Sequence, residues 1–302
     1  MCFSTSTARM LRILACVFTL VTLGAGCGGS GTTDDAGSVP ASENSQPDGA
    51  AAAPPNVEMA KVPAGLFLYG ATEDQFQLYL GQTQVGFPGV KERLRNSLVI
   101  PAQPVNLPDF WMDEFEVTNR QFAAFLKSSG YQPSSRVNYL KEWQGSTYPD
   151  WAGDFPVVWV SAEDAEAYCH WRGGRLPTDQ EWEKAFRGPS GALFPWGNNL
   201  PGRETTNVGT GKMEPVGNRP GDLSPFGIYD LAGNVCELVG NPVEHDCVMR
   251  GSSFQGGLRS VIGFHRSPGL SAQDRAGNLG FRCASDRPPE EATTPTETAP
   301  GQ

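Results

Sequence analysis

The sequence predicts one large domain of mixed helices and short strands, with much of its backbone in irregular loops, carried on an exported chain. Three observations predict it. All seven tryptophans of the 302 residues, and nearly all the other aromatics, fall between residues 57 and 286. Within that stretch the first half carries helices with clear start and stop signals. The second half is dense in Gly, Asn, Pro and Ser between brief apolar runs. The flanks are too poor in bulky apolar side chains to offset their own ordering entropy, so they read as linker and tail.

The elements follow in order. Val57 to Gly70 shows short β-type runs broken by Pro63 and Gly65, which predicts strands around a turn. Thr118 opens a helix with Gln121 three residues on as a capping box; Phe122, Phe125 and Leu126 share its apolar face and Gly130 ends it. Phe155 to Val160 reads as a buried strand. Ser161 then caps a second helix with Asp164, turning Ala165, Tyr168 and Cys169 inward until Gly173 and Gly174 stop it. Thr178 and Glu181 cap a third, with Trp182, Ala185 and Phe186 as its buried stripe and Gly188 as its end. From Pro189 to Phe281 long loops and short strands are expected, including the brief apolar runs Phe226 to Leu231 and Ser260 to Phe264. So much irregular backbone must satisfy its buried amides through side chains, water or ions, because each one left unpaired costs about 1–3 kcal/mol, and a structural ion is one way to do it.

The N-terminus carries Arg9 and Arg12, an apolar run from Ile13 to Leu23, and small residues leading to Cys27. The run is about eleven residues long, short of the roughly 20 that cross a bilayer, so it reads as an export signal rather than a permanent span. The small residues before Cys27 resemble a bacterial lipoprotein signal, which implies residues 1–26 as signal peptide and acylation of Cys27; ordinary cleavage or an uncleaved anchor are the alternatives. Residues 27–56 are then a flexible tether, and residues 287–302, rich in Pro, Glu and Thr, a disordered tail. The expected location is a bacterial membrane surface, periplasmic or external, with the lipid as the membrane contact. A formal net charge of −10 argues against nucleic acid as a partner, since that binding relies on Lys and Arg displacing counterions.

Of the seven cysteines, Cys2 and Cys16 leave with the signal and Cys27 takes lipid, leaving Cys169, Cys236, Cys247 and Cys283. An even number in an oxidising compartment is expected to pair, in any of three connectivities.

A set of phrases now carries a resemblance. Val62-Pro63-Ala64-Gly65, Glu116-Val117-Thr118-Asn119, Pro156-Val157-Val158-Trp159-Val160-Ser161, Ala167-Tyr168-Cys169-His170-Trp171, Gly174-Arg175-Leu176-Pro177-Thr178, Pro195-Trp196-Gly197-Asn198, Phe226-Gly227-Ile228-Tyr229-Asp230, Gly233-Asn234-Val235, Arg250-Gly251-Ser252-Ser253-Phe254 and Gly280-Phe281-Arg282-Cys283 stand in one order along residues 57–286. Together they resemble the formylglycine-generating-enzyme, or sulfatase-modifying-factor, family. The resemblance implies a single α+β domain with little regular secondary structure, distantly like C-type lectin folds.

The family's enzyme oxidises a sulfatase cysteine to formylglycine with Cu(I) held by two thiolates between the Arg-Gly-Gly-Ser-aromatic and Gly-Phe-Arg motifs. The corresponding stretch here, Gln255 to Leu279, contains no cysteine, so no catalytic residue is assigned and no copper is expected. His265 is the only imidazole in the stretch. With His170 and His245 it completes the chain's three histidines, too few for the multi-histidine iron motif of related sulfoxide synthases.

Two family features carry over. The resemblance implies a Cys169–Cys283 disulfide. It also implies a calcium site at Asp230, Gly233, Val235 and Glu237, with carboxylates from the first and last and backbone carbonyls from the middle two, a hard-oxygen set suited to Ca²⁺; carboxylates that merely tie the loop are the alternative. A second family calcium site keeps Asn207-Val208 but loses its later half. Cys236 and Cys247, with ten residues between them, are then the leftover pair: a disulfide is expected, with free thiols or a transition metal as alternatives. The leading functional expectation is a non-catalytic binding or scaffold module with a protein or glycan ligand. The alternative is an oxidoreductase acting on an exported substrate through a site the motifs do not reveal.

Overall fold

Pro63 and Gly65 divide the first apolar run into two strands, β1 (Met59–Val62) and β2 (Gly65–Tyr69). The computed structural model describes residues 57–83, 101–202, 204–240, 247–257 and 260–289; the predicted signal, tether and tail, including Cys27, and His245 lie outside the described residues. β1 pairs antiparallel with β4 (Phe110–Asp113), Val62 opposite Phe110 and Met59 opposite Asp113, and β9 (Ala284–Ser285) adds to the far side of β4. The start and end of the domain therefore lie in one sheet. β2 pairs with β3 (Gln103–Leu107). A four-stranded sheet runs β7 (Ser267–Leu270), β6 (Cys247–Arg250), β5 (Cys236–Val239), β8 (Leu279–Gly280), with β8 parallel to β5.

The three predicted helices form where their caps stand. In α2 (Asn119–Ser129) the Thr118 hydroxyl accepts from the Gln121 amide at 3.3 Å, the Gln121 side chain accepts from the Thr118 amide at 2.8 Å, and Gly130 closes the helix at φ 64°. α3 (Ala162–Trp171) has the reciprocal Ser161 and Asp164 cap and buries Ala165, Tyr168 and Cys169. α4 (Asp179–Arg187) has the Thr178 and Glu181 cap. A fourth helix, α1 (Glu73–Thr83), adds to these; Thr72 and Gln75 form the same kind of cap, so its signal is present in the sequence.

α4 buries more than its apolar stripe. Asp179, Glu183, Lys184 and Arg187 are buried as well, because each charge finds a partner. Arg250 from β6 pairs with Asp179 and Glu183, Arg187 holds Glu183 at 2.7 Å, and Tyr69 donates to Asp179 at 2.6 Å. Lys184 donates to the Pro63 and Gly65 carbonyls at 2.6 and 3.2 Å, which fixes the β1–β2 turn to this helix. One apolar core gathers around Trp182 and Phe186 of α4, a second around Tyr168 of α3 with Phe122 and Phe281.

The segment Phe155 to Val160 is buried as expected but is not a strand. Val157 donates to the Val117 carbonyl at 2.8 Å, yet Trp159 sits at φ 60°, its amide turned to Ala276 and its carbonyl accepting from Leu140, so the extended run breaks there. A left-handed tryptophan needs tertiary contacts to hold it, and its ring packs where a side chain at Gly277 would come within 3.2 Å.

The β5–β6 register corrects the expected Cys236–Cys247 bridge. Glu237 faces Arg250 and Val239 faces Val248, so Cys236 falls opposite Gly251 and Cys247 opposite Gly240. Four residues along a strand is about 13 Å, well beyond the Cα spacing of a disulfide. Cys236 is buried, its sulfur 4.0 Å from the Gly251 carbonyl oxygen.

Cys169 and Cys283 are joined by a disulfide across 114 residues, tying α3 to the strand that enters β9. A loop of that length constrains the unfolded chain strongly. Replacing both cysteines by alanine is expected to lower the unfolding free energy by about 4–5 kcal/mol, read by urea denaturation; a loss below about 1 kcal/mol would contradict this.

Candidate functional site

The loop from Tyr229 into β5 coils tightly because Asp230 and Asn234 both adopt left-handed backbone, at φ 60° and 58°. Gly233 between them has no room for a side chain: a Cβ would lie 2.4 Å from the Thr206 hydroxyl oxygen. Asp230, Gly233 and Val235 follow one another through this buried loop, and Glu237 lies just beyond it in β5. Asp230 accepts from the Gly217 amide at 2.5 Å. Glu237 accepts from Trp182 Nε1 at 2.9 Å and from Arg282 through both of its oxygens, at 2.6 and 2.8 Å.

Two further carboxylates belong to this region. Glu116 accepts from the Asn234 side chain at 3.1 Å and the Val235 amide at 3.3 Å. Asp222 accepts from the Thr206 hydroxyl at 2.6 Å and the Ala232 amide at 3.2 Å. Glu116 stands in one of the quoted phrases but its type alone gave no role; nothing in the sequence marked Asp222.

Arg282 is the guanidinium these acids share. It also donates to the carbonyls of Asp113 (3.0 Å), Glu114 (3.2 Å) and Tyr229 (2.8 Å). Burial works against its charge, but Glu237, Glu116 and Asp230 outweigh that and hold its pKa above the ordinary value. The acids are not matched in the same way. Burial and then the charge of Asp230 push Asp222 up to about 8, and burial raises Asp230 to about 6 despite the Gly217 amide and Arg282. Burial, reinforced by Asp230, lifts Glu116 well above the carboxylate range. A raised pKa favours the neutral carboxyl in each of these three acids. The residues do not fit calcium: Arg282 and Trp182 already take up both oxygens of Glu237, and among the described residues no three His, Cys, Asp or Glu side chains form a cluster able to hold a metal. Asn207, kept from the second family site, donates to the Asn234 side chain across the loops and to the Lys212 carbonyl within its own, both at 3.0 Å.

Within the stretch between the Arg250 and Gly280 motifs, Val261 to Phe264 pack as core. Val261, Ile262 and Phe264 are buried in the cluster around α4. Ser252 and Ser260 share a hydrogen bond at 2.7 Å. His265 is half-buried, its Nδ1 enclosed without a hydrogen-bond partner and its backbone carbonyl accepting from Arg250. Burial, then the Arg250 charge, lowers its pKa to about 4. His170 is exposed on α3.

The fold and this site define a sulfatase-modifying-factor domain without thiolates in the copper-bearing segment. Residues 45–287 match the family described as the sulfatase-modifying factor enzyme 1-like domain, and the chain belongs to that family. It is 33% identical over 282 residues to the inactive C-alpha-formylglycine-generating enzyme 2 of Bos taurus, covering 74% of this chain and 92% of that one. It is 30% identical over 302 residues to the formylglycine-generating enzyme of Mus musculus, covering 77% and 76%. Among solved structures, PvdO from Pseudomonas aeruginosa aligns with a TM-score of 0.56 at 22% identity, covering 75% of this chain and 93% of that one, which shows a shared fold.

His265 leads to a pH expectation. Its folded pKa of about 4 lies below the ordinary histidine value of about 6.5, so the unfolded chain binds a proton that the folded one refuses, and stability present above pH 6.5 falls as pH drops toward 4. His265→Gln should therefore flatten the acid limb of stability by up to about 3 kcal/mol, measured by urea unfolding at pH 7 and 4.5. Parallel losses in wild type and variant would refute it.

Proposed function

We propose that this protein is a non-catalytic sulfatase-modifying-factor domain, serving as a binding or scaffold module held at a bacterial membrane. The observation that carries the reading is the segment Gln255 to Leu279, which has no thiolate and a single imidazole, His265, whose Nδ1 is enclosed without a hydrogen-bond partner. Cu(I) needs soft donors, and none stands there. The kinship to a relative named inactive supports the same reading. The ligand is an exported protein or a glycan. Trp151, 71% exposed and set edge-on against Phe155 beside the exposed Arg120–Asp154 pair, is a side chain suited to contact either.

Incubated with a sulfatase-motif cysteine peptide, with or without Cu(I), the purified protein is expected to form no aldehyde by mass spectrometry, beside a copper-competent homologue as control. Metal analysis of the same sample should find no stoichiometric copper or iron. Turnover of the peptide would defeat the reading.

Anchoring rests on the residues before Cys27 and is tested separately. Cys27→Ala is expected to move the protein to the soluble fraction or leave an unprocessed precursor; unchanged membrane partition with normal processing would remove the anchor from the proposal.

A further inference from the structure

The connection between α2 and α3 carries an exposed tryptophan on a firmly held turn. Asp150–Ala152 form a single 3-10 turn, and two consecutive residues at the start of α2 hold it from beneath. The Asn119 side-chain amide donates to the carbonyls of Ala152, Phe155 and Pro156 at 3.0, 3.2 and 3.4 Å, and its oxygen accepts from Trp143 Nε1 at 2.9 Å. The backbone amides of Asn119 and Arg120 donate to the Phe155 and Gly153 carbonyls, both at 3.0 Å, and the Val216 amide holds the Asp154 carbonyl from a third segment at 3.0 Å. Trp151 stands out from this base at 71% exposure, its ring meeting that of Phe155 at 87°. At that exposure at least one face of the indole is open to solvent.

A polar pair lies beside it. Arg120 donates from Nε and Nη2 to one oxygen of Asp154, at 3.2 and 2.9 Å, so among the described residues Nη1 and Asp154 Oδ2 have no partner. Both side chains are exposed, and an exposed pair adds little to stability. The chain nevertheless makes room for it. Gly153 sits at φ −55°, a conformation any residue adopts, but a Cβ there would lie 2.8 Å from Arg120 Nη2. The missing side chain therefore serves the placing of the guanidinium, not the backbone.

We infer that Trp151, Arg120 and Asp154 form a binding site for a neutral oligosaccharide of β-linked, gluco-configured units. The inference rests on the binding-module reading above and narrows its ligand. Two observations select a sugar over a protein. Among the described residues the other large apolar side chains that are exposed, Leu66, Leu78, Val137 and Leu200, are aliphatic and come from separate segments, while the exposed chain neighbours of Trp151 are Asp150 and Asp154. A stable protein interface buries about 800 Å² a side around several anchors, whereas one pyranose ring covers one aromatic face. The charges, secondly, suit a neutral ligand. Arg120 and Asp154 cancel, and together they set N–H donors beside a carboxylate acceptor, which vicinal hydroxyls, each both donor and acceptor, satisfy at once. Asp150 beside them and a formal net charge of −10 work against an anionic one. In a β-linked gluco unit the hydroxyls are equatorial, so the axial C–H bonds make an apolar face to lie on the indole while the rim reaches the pair. The fixed turn lowers the ordering cost of the contact.

The test is calorimetric titration of the full-length protein with N-acetylated chitotriose and with cellotriose, beside trigalacturonic acid as an anionic probe. Saturable binding of both neutral trisaccharides in the millimolar range is expected, with none of the acid. Trp151→Ala should weaken binding at least about ten-fold and leave the urea midpoint unchanged, because the side chain is exposed. Gly153→Ala removes no group and adds one methyl against Arg120, and it should weaken binding as well. No binding of either neutral trisaccharide, binding that Trp151→Ala leaves unchanged, or equal binding of the acid would overturn the inference. A complex with an exported protein that depends on Trp151, without sugar binding, would overturn it in favour of a protein ligand. Each of these results leaves the non-catalytic reading standing, since that reading fails only through turnover of the sulfatase-motif peptide, a separate assay.

Discussion

The bidentate pair between Arg282 and Glu237 is the interaction on which the rest of this structure depends. Burying either charge alone would be very costly, so each makes the other tolerable in the interior. Trp182 Nε1 completes the lone pairs of Glu237, and the Asp113, Glu114 and Tyr229 carbonyls complete the guanidinium. One side chain near the end of the domain thereby fastens β4, the Tyr229 turn and β5, elements far apart in sequence. The same residue stands next to the cysteine that closes the longest covalent loop among the described residues.

A second charged group plays a comparable part under α4. Arg250 binds Asp179 and Glu183, and Arg187 binds Glu183 and the Leu68 carbonyl, so β6, α4 and β2 meet around paired charges rather than an all-apolar face. This is how a domain with short strands keeps its geometry. Its loops expose many backbone carbonyls to the interior, and arginines with five donors satisfy several at once. Such networks specify one arrangement because each donor has a single fitting acceptor set, and they make the fold sensitive to loss of any member.

The same architecture separates scaffold from chemistry. The pairs that hold the domain together, Arg282–Glu237, Arg250–Asp179 and Cys169–Cys283, are all present, while the segment between Arg250 and Gly280 packs Val261, Ile262 and Phe264 inward. A family fold can thus persist with its reactive sulfurs absent, because those sulfurs do not belong to the networks that stabilise it.

What the sequence determined by itself was local. The reciprocal caps at Thr118, Ser161 and Thr178 are made by residues three apart, so their helices were legible before any packing was known. Motif order identified the family, the loop of Asp230 to Glu237 and the bond between Cys169 and Cys283. Tertiary structure decided the rest. It turned the apolar Phe155–Val160 run into an irregular segment by holding Trp159 at positive φ, and it set a hairpin register that keeps Cys236 and Cys247 apart. It also gathered Glu116, Asp222 and Arg282 around the loop from positions scattered over more than half the domain. Capping and turn preferences are energies of neighbouring residues and can be read along the chain. Register, left-handed strain and shared burial of charge arise only when distant segments meet, so no local pattern carries them.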